Sequence, residues 1–214
     1  MARRKSSRPR CPVCGLHLEL CLCAAIPVRD LSTAFVVVQH NRERNKPTST
    51  GRVAAAALRA PLVHYGAQGE SLDTTTLEDP DTDYYVLFPA EGAAVVDAAA
   101  TAPAPGRRRC FVILDGTWHQ CSRMARRAAR IEAMPHLTLP PGPPSRWGVR
   151  TPPHPGALCT FEAATRLVEV LHGPAAAAPM AEFFALLSAR MLGMRGRPPA
   201  DHAPLADADE PADP

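Results

Sequence analysis

The chain has 214 residues, of which 46% are hydrophobic, and its formal net charge is +3. This length suits one α/β domain with small attachments, and the sequence holds no run of eighteen apolar residues, which predicts no membrane span. Residues 1–199 hold all 24 basic residues and 16 of the 21 acidic ones, so their formal charge is +8. A basic folded part favours an anionic partner.

The N-terminal segment combines basic residues with a cysteine cluster. Residues 1–10 carry five basic residues and no apolar stretch, so we expect a cytoplasmic chain. Four cysteines follow within thirteen residues: Cys11, Cys14, Cys21 and Cys23. The first pair has the spacing typical of zinc ligands, whereas a disulfide framework, the alternative, needs an oxidising compartment. We therefore predict a basic arm over 1–10 and a zinc-binding module over 11–26.

Apolar runs and helical periods then alternate, which predicts an α/β domain over residues 27–195 with a mostly parallel sheet and flanking helices. The expected strands are 33–39, 62–65, 84–88 and 110–115. The expected helices are 51–60, a short one from Glu91, 119–131, one that begins at Thr160, and 179–192. The last helix is expected to bury Phe183, Leu186, Leu187 and Met191. Residues 196–214 are acidic and rich in Pro and Ala, and we expect this tail to be disordered.

One predicted strand ends on side chains suited to chemistry. The apolar run 110–114 stops at Asp115, and Gly116, Thr117 and Trp118 follow directly. Ligands of open α/β sheets bind at the carboxyl ends of strands, so these residues are delivered to the usual place for a site. The alternative is a turn in which Asp115 caps the next helix and Trp118 fills the core.

The helix after this strand carries a basic stripe at helical spacing, formed by Arg123, Arg126, Arg127 and Arg130. Residues 107–130 hold seven arginines and a single acid, Asp115. A charged run is often only a solvated helix face. Its position next to Asp115 favours a surface that follows nucleic-acid phosphates.

The order of motifs resembles the DTW-domain family over residues 10–172. The motifs are the cysteine quartet, Gln39-His40 with Glu43, Thr50-Gly51-Arg52, Leu87-Phe88-Pro89, Asp115-Gly116-Thr117-Trp118, and Arg150 followed by Thr160-Phe161-Glu162-Ala163. Two departures are Lys46-Pro47-Thr48-Ser49, where many members have an Asn before the Thr-Gly, and His119-Gln120-Cys121 in place of a Gln-Ala pair. Both affect substrate details and leave the core motif intact.

Characterised members of that family are tRNA-uridine aminocarboxypropyltransferases. The resemblance therefore implies transfer of the 3-amino-3-carboxypropyl group of S-adenosylmethionine (SAM) to N3 of a uridine in tRNA, with release of 5'-methylthioadenosine. It also implies a SPOUT-like α/β fold in which a deep knot forms the SAM pocket.

The resemblance and the chemistry together imply roles for individual residues. The catalytic set is Asp115 as base, Thr117 as a hydroxyl donor and Trp118 as a stacking platform for a nucleobase. The SAM-binding set is Phe88, Pro89, Leu114, Gly116 and Thr160. The RNA-binding set is Arg52, Arg123, Arg126, Arg127, Arg130 and Arg150, of which Arg52 and Arg150 also suit the SAM carboxylate.

Several alternatives stay open on the sequence. Asp115 could hold the uridine edge or the substrate amino group, and Thr160 could be a simple N-cap. The chain could also be a non-enzymatic zinc-containing RNA-binding module or a SAM-dependent RNA methyltransferase. A phosphotransferase with Asp115 as nucleophile is disfavoured, because Thr117 stands where that chemistry needs a second acid.

Overall fold

The computed structural model describes residues 8–66 and 71–196. Most of the predicted basic arm (1–7) and almost all of the predicted acidic tail (197–214) lie outside the described residues. The strands are β1 Ala34–His40, β2 Leu62–Tyr65, β3 Thr82–Leu87, β4 Ala94–Val95, β5 Arg108–Asp115 and β6 His136–Thr138. The helices are α1 Gly51–Ala57, α2 Trp118–Arg127, α3 Ala129–Glu132, α4 Thr160–His172 and α5 Pro174–Gly193.

All six strands form one parallel sheet in the order β2-β1-β5-β3-β6-β4. This confirms the predicted α/β class. The central strands β1 and β5 are continuous apolar runs because both faces of a parallel sheet are covered. Their register pairs Gln39 with Asp115, so the polar ends of these two strands lie side by side.

The alternating direction of the side chains along β1 and β5 divides the core into two layers. Phe35, Val37, Phe111 and Ile113 face one side, where they pack with residues of α1, α4 and α5. Val36, Val38, Val112 and Leu114 face the other side, where α2 and α3 cover them. Successive strand residues point to opposite faces, which produces this division.

The structure differs from the predictions in several places. No helix begins at Glu91, because Gly92 adopts φ +74 in a turn and the short strand β4 follows. Strand β6 has only three residues and was not predicted. The predicted helix 119–131 is divided at Ala128, whose backbone is extended. Leu186 was expected to be buried, but 43% of its surface is exposed.

Helix α5 begins at Pro174, five residues before the predicted start, and carries Pro179 within its first turns. Among the described residues it is the one helix long and apolar enough to meet the criteria for a membrane span. Core helices of globular domains meet the same criteria. Here Phe183, Phe184 and Leu187 are buried against α4 and the sheet, which identifies α5 as a core helix.

Candidate functional site

Asp115 lies at the carboxyl end of β5 with only 3% of its surface exposed. Its Oδ2 accepts hydrogen bonds from Gln39 Nε2 at 2.8 Å and from Ser49 Oγ at 2.7 Å. Its Oδ1 accepts a hydrogen bond from Thr160 Oγ1 at 2.6 Å. The structure thus excludes the alternative in which Asp115 caps the next helix.

Three separate segments deliver these donors. Gln39 ends β1 directly beside Asp115, Ser49 precedes α1, and Thr160 is the first residue of α4. An ionised carboxylate offers about four acceptor positions, and the described residues fill three of them. The carboxylate is therefore held firmly and keeps one position on Oδ1 for a ligand.

Gly51, the first residue of α1, lies directly against this carboxylate. A Cβ built at Gly51 would overlap the Cβ, Cγ and Oδ2 atoms of Asp115. The Thr50-Gly51 motif therefore has a steric cause, since only glycine lets the start of α1 approach β5 so closely.

Gly51→Ala is expected to displace Asp115, to abolish most of the activity and to lower the free energy of unfolding by about 1–3 kcal/mol. Chemical denaturation and a turnover assay measure the two effects. Gly193→Ala is the matched control, because a Cβ at Gly193 meets no atom within 4 Å. Equal activities and equal free energies of unfolding of the two variants would contradict the steric argument.

Two neighbouring cavities meet beside Asp115. The first cavity has a volume of about 390 Å³ and lies at the carboxyl ends of β3, β5 and β6. The second cavity has a volume of about 340 Å³ and is lined by Ser49, Asp115 and Arg150 among others. Both volumes fall within the range of about 300–1,000 Å³ that small-molecule sites occupy. Gly116, Trp118, Leu158 and Thr160 line both cavities and separate them.

The five residues predicted to bind SAM all line the first cavity: Phe88, Pro89, Leu114, Gly116 and Thr160. Apart from Thr160 and the backbone of Gly116, these residues are apolar, as are most of their neighbours in the wall. Such a cavity suits the base and ribose of a nucleoside ligand.

Trp118 is half-buried between the two cavities, which argues against the alternative of a core side chain. Its ring lies 4.6 Å from the His154 ring, edge to face, and 5.8 Å from the Phe88 ring. An aromatic wall of this kind offers a stacking surface to a planar ligand.

Thr117 serves as the N-cap of α2. Its hydroxyl accepts from the backbone N–H of Gln120 at 3.3 Å, and Gln120 Oε1 accepts from the Thr117 N–H at 2.8 Å. This reciprocal capping box orients the helix and the preceding turn. Thr117 also lines the second cavity, so its hydroxyl remains beside the site.

Two of the arginines predicted to bind RNA are held by backbone carbonyl oxygens of other segments of the chain. Arg52 donates to the backbone carbonyl oxygens of Val13, Arg44 and Lys46, and burial lowers its pKa. Arg130 donates to the carbonyl oxygen of Leu77 and lies over the Tyr84 ring. These contacts give Arg52 and Arg130 structural roles.

Arg150 lies in the wall of the second cavity. Its Nη2 donates to Glu43 Oε2 at 2.6 Å, and its Nε donates to Thr48 Oγ1 at 2.9 Å. Glu43 is fully buried, with 0% exposure, and also pairs with Lys46. Arg150 therefore fixes the segment before Ser49 to the cavity wall. Arg123, Arg126 and Arg127 are exposed along α2, where Arg126 Nε donates to the carbonyl oxygen of Ser122 at 3.2 Å.

Gln39, Ser49 and Glu43 are the site residues that sequence reasoning did not assign. A polar residue that closes a buried strand was the signal for Gln39, which adjoins Asp115 in the sheet. Glu43 lies between two arginines in the sequence and reads as a solvated residue, so nothing indicated its burial.

The cysteines outside the N-terminal cluster are not suited to nucleophilic chemistry. Burial raises the pKa of Cys121 and Cys159 far above the ordinary value, and it raises the pKa of Cys110 to about 12. Thiols in this state stay protonated at neutral pH. Cys121 and Cys159 line the cavities, where Cys121 Sγ donates to the carbonyl oxygen of Leu114 at 3.7 Å and Cys159 is the N-cap of α4.

The four N-terminal cysteines form a compact cluster whose ligand atoms all lie within 4.8 Å of one another. The Sγ atoms of Cys11 and Cys23 are 3.4 Å apart, and those of Cys14 and Cys21 are 3.8 Å apart. Disulfides are excluded, because they need about 2.05 Å. Tetrahedral zinc with Zn–S bonds of about 2.3 Å places sulfurs about 3.8 Å apart, so the cluster fits a closed structural zinc site.

This cysteine module packs firmly on the α/β domain. Leu16 and Leu22 belong to the same buried cluster as the residues of α1, α4 and α5. Arg190 Nη1 donates to the carbonyl oxygen of Leu20 at 3.1 Å. Gly15, at φ +72, lies against the backbone of Pro47, two residues before Ser49. The module therefore supports the loop that holds Asp115.

Comparisons with known proteins agree with these motifs. The chain is 26% identical to tRNA-uridine aminocarboxypropyltransferase 2 of Mus musculus, 27% to that of Macaca fascicularis and 23% to that of Drosophila melanogaster. Each match covers 77% of this chain, and it covers 57%, 57% and 67% of the respective relatives. The chain thus spans little more than half the length of the two mammalian relatives.

No solved structure matches the chain significantly. The family model of the DTW domain matches residues 8–192, which include the cysteine module, both cavities and all three donors to Asp115. The chain therefore belongs to the DTW domain family.

Proposed function

We propose that this protein transfers the 3-amino-3-carboxypropyl group of SAM to N3 of a uridine in tRNA and releases 5'-methylthioadenosine. The observation that carries the proposal is the position of Asp115, which lines the second cavity, directly beside the first cavity of nucleoside size. The names of the relatives supply the substrate class. A SPOUT-like knotted path of the chain around the first cavity, and action in the cytoplasm, belong to the same proposal.

The first cavity would take the adenosyl part of SAM. Its apolar wall excludes water from the sulfonium, and Gly116 lets the ligand approach the backbone. Each carbon on a sulfonium is electrophilic, so the bound orientation decides which group is transferred. Positioning is therefore the main contribution of this wall to catalysis.

The second cavity would take the uridine. Trp118 offers its ring to the base, and Asp115 offers the remaining acceptor position of Oδ1 to the N3–H group. In the transfer step, Asp115 accepts the N3 proton. The N3 electron pair forms a bond to the carbon of the 3-amino-3-carboxypropyl group that is attached to the sulfonium sulfur. The bond from that carbon to sulfur breaks, and its electron pair stays on the sulfur. The sulfonium thereby becomes the neutral thioether of 5'-methylthioadenosine, which leaves.

Zinc would be held by Cys11, Cys14, Cys21 and Cys23, where four thiolates leave no open position for a reacting ligand. Its contribution is to fold the module that supports the loop before Ser49. The chemistry of the transfer belongs to the residues around Asp115.

Purified protein and bulk tRNA, incubated with SAM labelled in either its carboxyl carbon or its methyl carbon, test the proposal. We expect label to enter RNA from the carboxyl position only, and nucleoside mass spectrometry then identifies the modified uridine. Entry of the methyl label would instead make the protein a methyltransferase. RNA binding without entry of either label would support a non-enzymatic RNA-binding module.

A further inference from the structure

The loop between β1 and α1 carries exposed positive charge, and its last residues, Thr48 and Ser49, line the second cavity. Arg42 and Arg44 point to solvent, whereas Glu43 between them is completely buried. Glu43 pairs with Lys46 and Arg150, so its own charge is compensated inside the protein. The exposed side of this loop is therefore positive.

The loop is also rigidly held. The backbone N–H groups of Arg44, Lys46 and Ser49 donate to carbonyl oxygens three residues earlier. The Arg42 N–H donates to His40 Nδ1 at 3.2 Å, and the Arg52 side chain holds the carbonyl oxygens of Arg44 and Lys46. A pre-ordered loop loses little conformational entropy when it binds a partner.

Helix α2 continues the same positive surface. His119 lines the second cavity, and Arg123, Arg126 and Arg127 follow it on one face of the helix at spacings of four, seven and eight residues. Cys121, Met124 and Ala125 occupy the opposite, buried face. The arginine face therefore begins at the mouth of the cavity and extends about 12 Å along the helix.

His40 connects the loop to the helix. Its pKa lies below the ordinary value, first because burial disfavours the charged ring and then because Arg42, Arg123 and Lys46 repel a proton, against a smaller opposing effect of Glu43. Cations from both elements thus lie close to one side chain. We name the exposed arginines of the loop and of α2 the basic ridge: Arg42, Arg44, Arg123, Arg126 and Arg127.

We propose that the basic ridge binds the phosphates of the RNA strand that flank the nucleotide in the second cavity. The inference rests on the proposed function and adds Arg42 and Arg44 of the loop to the arginines predicted to bind RNA. Arginine guanidinium groups pair well with phosphate oxygens, and a rigid ridge beside the cavity places the target base at its mouth. Contacts to phosphate give affinity without reading the sequence, so they serve any tRNA that presents its uridine here.

The double variant Arg42→Gln/Arg123→Gln tests the proposal in the full chain. The affinity for bulk tRNA is measured by filter binding over a range of KCl concentrations. Each phosphate contact contributes about 0.7–0.9 to the slope of log K against log[salt], so we expect the slope to fall by about 1.4–1.8. Binding at 0.1 M salt should weaken by at least about tenfold, while SAM binding in calorimetry stays at the wild-type value.

Arg107→Gln/Arg108→Gln is the matched control. It removes the same charge at the opposite, amino end of β5, where these arginines pair with Asp83 and Asp79. We expect wild-type tRNA affinity for this control. An unchanged slope in the ridge variant, or an equal loss in both variants, would overturn the proposal.

The outcomes separate this inference from the proposed function. If the wild-type protein binds tRNA through the ridge but transfers no label, the proposed transfer is contradicted and the role of the ridge in binding is supported. If the ridge variant binds and modifies tRNA like the wild type, the role of the ridge is contradicted and the proposed transfer is supported.

Discussion

Asp115→Asn is expected to lower kcat/KM for transfer to tRNA by a factor of about 10²–10⁴, the usual contribution of a positioned acid or base. The substitution keeps the size of the side chain but removes the negative charge and replaces one of the two acceptor oxygens by an NH₂ donor. It also leaves the donors Ser49 and Thr160 facing an amide. Transfer of the carboxyl label of SAM to tRNA measures the effect.

The pH profile of the asparagine variant distinguishes two roles of Asp115. If Asp115 accepts the N3 proton, the rate of the variant rises with pH, because hydroxide then removes that proton. If Asp115 only holds the uridine, the rates of the variant and of the wild type change with pH in parallel.

The exposed residue Asp81 offers the same chemical change as a control, and Asp81→Asn should keep full activity. If the Asp115→Asn variant turns over as fast as the wild type, Asp115 has no role in catalysis.

Cys21→Ser should reduce the zinc content from about one ion per chain to nearly none and destabilise the protein by several kcal/mol. Cys21 is one of four thiols in the cluster, and a serine hydroxyl does not replace a thiolate ligand. Each kcal/mol lost lowers Tm by about 2–4 °C for a chain of this size, so the drop should exceed about 5 °C. Elemental analysis and thermal unfolding provide the two measurements.

Cys159→Ser is the control for metal content, because Cys159 lies outside the cluster and serine is a good N-cap for α4. It should retain all the zinc. A Cys21→Ser protein that is zinc-free yet has the wild-type Tm would show that the metal does not stabilise the fold.

The fold was predictable where local pattern decides the structure. β2 was predicted residue for residue, and β1 and β5 were recognised because a buried parallel strand is a continuous apolar run. β6 was missed since three residues carry no period. The prediction of a helix from Glu91 was wrong, because Gly92 has a left-handed backbone conformation and directs the chain into a turn.

The site was predictable in its residues but not in their partners. The five residues predicted to bind SAM line one cavity and Asp115 lies beside it, whereas their roles stay predictions. Arg52 and Arg130 were assigned to RNA, yet carbonyl oxygens 6 to 53 residues away hold them. Helical spacing places a side chain on a face of its own helix and contains no information about what the rest of the chain packs there.

The bonds that hold Asp115 also determine when the site can form. They join it to residues 45, 66 and 76 positions away, in segments that lie on both sides of it in the chain. No partial fold that lacks α4 can assemble the carboxylate, and contacts of such long range form late and slowly. A newly made chain therefore cannot complete this site until Thr160 has been synthesised and docked, so the hydrogen-bonded carboxylate is among the last parts of the fold to form.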